Sequence, residues 1–498
     1  MPNLPQTLDR LPSTEQLLLA GGDARLALDP LSGLNKYGCG PSPDPQLLAF
    51  GSSTASVIST QGFAVAERLR QNLLEAISIT SPIDVYERQI QRIRLEWLAL
   101  CELSDLHGLE LIFSPSGTDL HTIAAQYTVS EASAPARVIM VEANETGSGV
   151  ASALNGNSAT GNDAVEVAQV SIRLDDGTPR LIAEIDAEVE NLVSEAVTSN
   201  RRVLLILVDQ SKTGLIAPSP ACVIALHRRY PDNLEVLIDA CQFRIALPTL
   251  RAYLDQGFMV ALTGSKFLTA PSFSAALLVP SEVAERLQKR AFPPRLLSCS
   301  SRANWPTHWP GTEYLNPTAN FGLLLRCEVA LAELRRFRAV PQTKIIDFML
   351  TFAETIRQRL SSDLHFEPLL APQLDRRPLI EPNSWDHLQT IFPFLLYDPQ
   401  PNGRLPLSRE QTLHVYRQLL TVFNHPDNTI AATRCQLGQP VACGARNGTA
   451  VSALRLCISS RLIIEATAQD DRGNAIIEAA LKTLDKTTLL IHSNRKNN

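Results

Sequence analysis

Short apolar runs closed by small, polar or acidic residues alternate in this chain with stretches whose apolar residues recur at helical spacing. Leu109 to Phe113 reads as a buried strand and runs through Ser114-Pro115-Ser116-Gly117-Thr118-Asp119 into a helix over Leu120 to Tyr127. Val203 to Asp209 is a second such strand. Val236 to Gln242 is a third and carries Asp239, and Phe258 to Lys266 is a fourth, ending in Thr263-Gly264-Ser265-Lys266. Upstream, Ile83 to Leu103 alternates apolar and charged residues with helical period, through Ile90, Ile93, Leu95, Trp97 and Leu98. Strands alternating with helices predict an α/β protein with a mostly parallel sheet.

The flanking regions differ in pattern. Residues 1–60 form an arm rich in Pro and Gly, which either docks on the small domain or lines the site's entrance. Residues 61–320 make the large domain, and Asn155 to Asp163 reads as a surface loop within it. Phe321 to Phe337 predicts a long helix, so that 321–340 bridges to a C-terminal small domain over 341–498. That domain opens with a helix through Leu360 and continues through a proline-rich connection from Pro368 to Pro406. Ser408 with Gln411 three positions on is a capping box before a helix over Thr412 to Phe423. Two strands, Thr429 to Arg434 and Ala453 to Ser459, follow.

Composition narrows the class. With 498 residues the chain can bury a sizeable core, and 45% hydrophobic against 19% charged residues is a globular balance. A net charge of −6 offers no footprint for nucleic acid or an anionic membrane. No apolar run reaches the roughly 18 residues that span a bilayer. Met1 to Arg10 lacks the basic-then-apolar pattern of a secretory signal. Nine cysteines without CxxC spacing fit reduced thiols, so the expected compartment is cytoplasmic.

Candidate chemistry concentrates at the strand ends. A carboxylate (Asp239) and an amine (Lys266) at the ends of consecutive strands suit pyridoxal 5'-phosphate (PLP). The lysine forms its Schiff base and the carboxylate pairs with its pyridinium nitrogen. The turn at Gly117-Thr118, opening a helix, offers backbone N–H groups and a positive dipole end to a phosphate.

These segments together resemble the fold-type I PLP-dependent enzymes, and most of all aminotransferase class V, the group of cysteine desulfurases and kynureninase. Asp239-Ala240-Cys241-Gln242 resembles that family's Asp-Ala-Ala-Gln, and Thr263-Gly264-Ser265-Lys266 its Ser-Gly-His-Lys. The likeness covers about residues 80 to 340 in the family's order. It implies a mostly parallel seven-stranded sheet in the large domain, a smaller α+β C-terminal domain and a homodimer. It also implies that Asp239 binds the ring nitrogen, Gln242 and Ser211 (or Gln210) face the ring oxygen, and Gly117, Thr118, Thr263 and Ser265 hold phosphate. Thr312, in Pro310-Gly311-Thr312-Glu313, would cross to the partner's phosphate.

The chain departs from that pattern in places. Ala143 stands where the family stacks an imidazole on the ring, leaving the cover to Asn144, to a residue elsewhere, or to nothing. Arg455 is the expected fork for a substrate carboxylate; the alternative is an edge-strand arginine paired with Glu465 or with solvent, and Arg434 and Arg446 are its rivals. Cys435 is a candidate nucleophile in a loosely desulfurase-like segment, beside Arg434, or else a small buried hydrophobe. The expected partner is an amino acid or amine, handled by a transaminase or Cβ-lyase. A decarboxylase, or a regulatory PLP-binding protein without turnover, is the alternative.

Overall fold

The computed structural model describes residues 11–495 apart from 130–135, 148, 156–164, 299, 424–428 and 469–470. The predicted loop at Asn155 to Asp163 therefore lies almost wholly outside the described residues. Seven strands form the main sheet in the spatial order Glu110–Ser114, Ala275–Val279, Met259–Thr263, Leu234–Ala240, Val203–Asp209, Ala136–Val141 and Val165–Val170. A two-residue strand, Ile216–Ala217, pairs with Val203–Asp209. The five from Met259–Thr263 to Val165–Val170 run parallel to one another, while Ala275–Val279 is antiparallel to both of its neighbours.

Every residue of Val203–Asp209, Leu234–Ala240 and Met259–Thr263 is buried. A parallel sheet covered on both faces requires this, which is why these strands read as continuous apolar runs rather than alternating ones. Successive residues feed separate cores. Leu205, Leu207, Ile238 and Leu262 belong to one, and Leu204, Ile206, Leu237 and Ala261 to the other. The register sets Asp239 beside Val208 on one side and Ala261 on the other, near the carboxyl ends of the strands, where open α/β sheets bind ligands.

A second sheet has the order Leu48–Phe50, Cys435–Arg446, Thr449–Cys457, Ile391–Gln400 and Phe366–Pro368, with Gly403–Pro406 paired to Ile391–Gln400. Leu48–Phe50 comes from the N-terminal arm and lies parallel to Cys435–Arg446, so the arm contributes a strand to the C-terminal sheet. The helix Phe321–Arg338 connects the two regions. Its buried Arg326 donates to the carbonyls of Phe273, Leu18 and Ala20, which fastens the arm to this helix and to the loop after Lys266.

Ser408 and Gln411 form both halves of the expected capping box, opening the helix Arg409–Leu419. Two expectations fail here. Thr429 to Arg434 is not a strand; turns occupy 429–432, with the Thr433 amide bonded back to Ile430, and pairing begins at Cys435. The proline-rich connection is not loop throughout, because Ile391–Gln400 and Gly403–Pro406 lie within it. Pro393 sits inside the first of these, its carbonyl accepting from the Leu369 amide.

Candidate active site

A cavity of about 1030 Å³ opens where the carboxyl ends of the main sheet meet the N-terminal arm and the second sheet. Lys266 and Asp239 both line it. The Lys266 side chain is half-buried, and among the described residues its amine makes no hydrogen bond or ion pair. Its backbone is held by the Ser56 hydroxyl, which donates to the Lys266 carbonyl at 3.1 Å.

Asp239 is buried and fully engaged. Oδ1 accepts from the Cys241 amide at 3.1 Å and Oδ2 from the Thr146 hydroxyl at 2.7 Å. His121 Nε2 faces Oδ2 at 3.4 Å, an ion-pair separation rather than a hydrogen bond. The other ring nitrogen, Nδ1, lies 2.7 Å from the Gly117 carbonyl and donates to it. Burial opposes ionisation of Asp239, yet His121, Lys266 and the Cys241 side chain outweigh it and hold the carboxyl well below its ordinary range. Burial likewise works against the imidazolium of His121, and the Asp239 charge overrides it, raising that pKa. An ionised carboxylate kept in a dry site is what a pyridinium nitrogen needs opposite it.

Ser116, Gly117 and Thr118 line the same cavity at the start of the helix Gly117–Val129. A side chain at position 117 would come within 2.8 Å of Cys241 Sγ, so only glycine lets this turn approach the strand carrying Asp239. Ser265 also lines the cavity. Thr263 does too, although its hydroxyl donates to the Cys241 carbonyl at 2.6 Å, which leaves only lone pairs facing the cavity. An amine, an ionised buried carboxylate and a hydroxyl-bearing helix N-terminus therefore face one cavity, and this donor set fits PLP.

Several expected residues stand elsewhere. Gln242 is outside the cavity lining; its amide donates to the Ser53 carbonyl at 3.1 Å and its oxygen accepts from Arg244 at 3.3 Å. Ser211 donates to Glu145 at 2.7 Å and is likewise outside the lining. Gln210 is buried, its amide donating to the Arg244 carbonyl at 3.3 Å. None of these three residues lines the cavity. Thr312 is buried within its own chain and donates to the Trp309 carbonyl at 2.7 Å.

Arg455 does line the cavity and is 1% exposed. It does not pair with Glu465. Nη2 donates to Thr54 Oγ1 at 2.9 Å and to the Gln439 carbonyl at 2.5 Å, and Nη1 to the Lys212 carbonyl at 3.3 Å. Its rivals are committed elsewhere, Arg434 to Asp44 and Arg446 to Glu367. Cys435 is buried and lies outside the lining, and burial pushes its thiol up rather than down, against weaker help from Thr483 and Lys486. Both Ala143 and Asn144 reach the cavity, as does Phe273 from the loop after Lys266.

Sequence reasoning overlooked His121, Thr146 and Lys212. His121 was readable: it stands four residues after Gly117 in a helix, on the same face one turn on. Thr146 gave no signal, because it reaches Asp239 from a loop.

No family model and no curated sequence matches the chain. Solved structures do. Cysteine desulfurase CsdA from Escherichia coli has a TM-score of 0.52 at 12% identity, covering 88% of this chain and 95% of that one. The cystine C–S lyase C-DES, in complex with its product cysteine persulfide, has a TM-score of 0.55 at 12% identity, covering 88% and 98%. Oryza sativa TDC with PLP has a TM-score of 0.52 at 12% identity, covering 90% and 84%. The chain has the fold of these fold-type I PLP proteins.

Proposed function

We propose that this protein is a PLP-dependent enzyme acting on an amino acid or amine, a transaminase or a Cβ-lyase. The observation that carries the reading is the shared cavity of Lys266 and an Asp239 kept ionised by His121. Lys266 would hold the cofactor through its amine, Asp239 would face the ring nitrogen, and Gly117, Thr118 and Ser265 would take the phosphate. When bound, PLP supplies an electron sink for negative charge developing at the substrate Cα.

The protein's own groups do the rest. Arg455 binds the substrate carboxylate, fixing which Cα bond is aligned for cleavage. The Lys266 amine, once free, removes the proton from Cα and can return it to another carbon. Asp239 stays charged throughout, because His121, Thr146 and the Cys241 amide satisfy it. The buried position of Cys435 favours chemistry without a protein thiol at that residue.

The active form is a homodimer in this reading, and the free, buried cysteines of the described residues suit a reducing, cytoplasmic compartment. Among those residues no helix is long and apolar enough to cross a membrane. The test is to titrate purified protein with PLP, follow its visible absorbance and melting temperature, then screen amino acids with mass analysis of products. Saturable uptake with a raised melting temperature is expected. A protein that stays colourless in excess PLP contradicts the proposal.

A further inference from the structure

The charge inventory of the cavity is unbalanced. Among the described residues only Asp23 and Asp239 supply carboxylates to its wall. Asp23 grips Arg25 at 2.6 Å and Asp239 faces His121, so both are already matched. Lys36, Lys212, Lys266, Arg409 and Arg455 line the same wall without an ion pair among the described residues, but Lys36 and Arg409 are exposed to solvent.

Lys266 and the helix N-terminus at Gly117 have roles in the cofactor site, which leaves Lys212 and Arg455. Their positions are linked, since Arg455 Nη1 donates to the carbonyl of Lys212 itself. The Lys212 ammonium has three donors, and its one hydrogen bond among the described residues goes to the Ala143 carbonyl at 3.1 Å. Glu145, whose backbone carbonyl accepts from the Lys212 amide at 2.7 Å, is not free to help. It accepts from Arg173 at 2.7 Å and from the hydroxyls of Ser211 and Thr213 at 2.7 Å. Arg455 Nε is buried with no partner among the described residues. Burial and the neighbouring charges of Arg455 and Lys266 push the Lys212 amine down to about 8. A buried guanidinium and a half-buried ammonium without counter-ions among the described residues are costly to keep, and an anionic ligand relieves that cost.

We propose that the substrate is an amino acid carrying a second acid group, with Arg455 on the α-carboxylate and Lys212 on the second. This deepens the functional reading above and rests on it. A mono-carboxylate would match one of the two cations and leave the other bare.

The experiment compares dissociation constants, by calorimetry on PLP-loaded protein, for L-glutamate against L-glutamine and L-aspartate against L-asparagine. The acid of at least one pair should bind about ten-fold tighter or more, the scale of one hydrogen-bonded charge. Lys212→Met should erase that preference while leaving the amide's affinity and the PLP content unchanged, and Lys212→Arg should restore part of it. Lys212→Gln serves if the methionine variant is unstable. Equal affinity for acid and amide in both pairs would overturn the proposal. So would a Lys212→Met protein that sheds PLP, since the lysine would then belong to the cofactor's site. Glutarate against butyrate on cofactor-free protein separates the two readings. Selective glutarate binding that Lys212→Met abolishes upholds the charge pair even where PLP uptake fails, and no selectivity there overturns it.

Discussion

Cys435 is buried and Lys212 half-buried, and their surroundings send these two ionisable groups to opposite uses. The Cys435 thiol has no cation close enough to offset burial, because the adjacent Arg434 turns away to a bidentate contact with Asp44 at 2.6 and 2.7 Å. It behaves as a small apolar filler. Cys435→Ala should lower stability by roughly 1 kcal/mol and leave PLP uptake and turnover intact; a variant that loads PLP normally but has lost turnover would restore the thiol to the chemistry. Lys212 is opposite in effect. Its depressed value of about 8 lies below that of the unfolded chain, near 10.4. Between those two values the unfolded chain binds a proton that the folded protein does not, so this residue makes stability rise with pH across that window. Denaturation of native protein against Lys212→Met should show native stability gaining on the variant from pH 8 upward. A constant difference would mean that the amine titrates normally. Asp239 and Lys266 were readable from sequence because strand ends mark them. The fate of Gln242 and Ser211 was not, since each is captured by a residue distant in sequence, Ser53 or Glu145.

Elements place these groups, and the tightest junction lies between the turn at Gly117 and the strand ending in Asp239-Ala240-Cys241. The helix must start close enough to bring His121 to Asp239, and a methyl at position 117 would collide with Cys241 Sγ at 2.8 Å. Gly117→Ala should cost about 1–3 kcal/mol, the usual penalty of overpacking, and weaken PLP binding. Adding Cys241→Ala should recover much of both losses by vacating the clash, as measured by denaturation and PLP titration in a double-mutant cycle. Additive losses would place the strain elsewhere. At this scale the main sheet was legible, because its strands are uniformly buried and their runs unbroken. The second sheet was not. Its strand Ile391–Gln400 contains Pro393 and Pro399, which read as connection, and its edge strand Leu48–Phe50 comes from the other end of the chain.

Across the whole molecule, buried arginines bind distant parts of the chain together. Arg376, from the connection after residue 368, pairs with Asp209 through two bonds of 2.6 and 2.7 Å, and both side chains are almost wholly buried. Tyr253 adds a hydrogen bond to the same carboxylate at 2.8 Å. Asp209 ends the strand just before the segment that carries Lys212, so this contact anchors one wall of the cavity to the C-terminal region. Arg376→Ala strands a buried charge and should destabilise by about 3–5 kcal/mol, read from the denaturation midpoint. A loss under 1 kcal/mol would show that the pair contributes little to holding the two regions together.

All of this converges on one amine in the cavity. Protein loaded with PLP and treated with borohydride should carry the reduced cofactor on the peptide containing Lys266, found by mass mapping, and Lys266→Ala should carry none. Reduced cofactor on another lysine of native protein, or undiminished labelling of Lys266→Ala, would contradict the account.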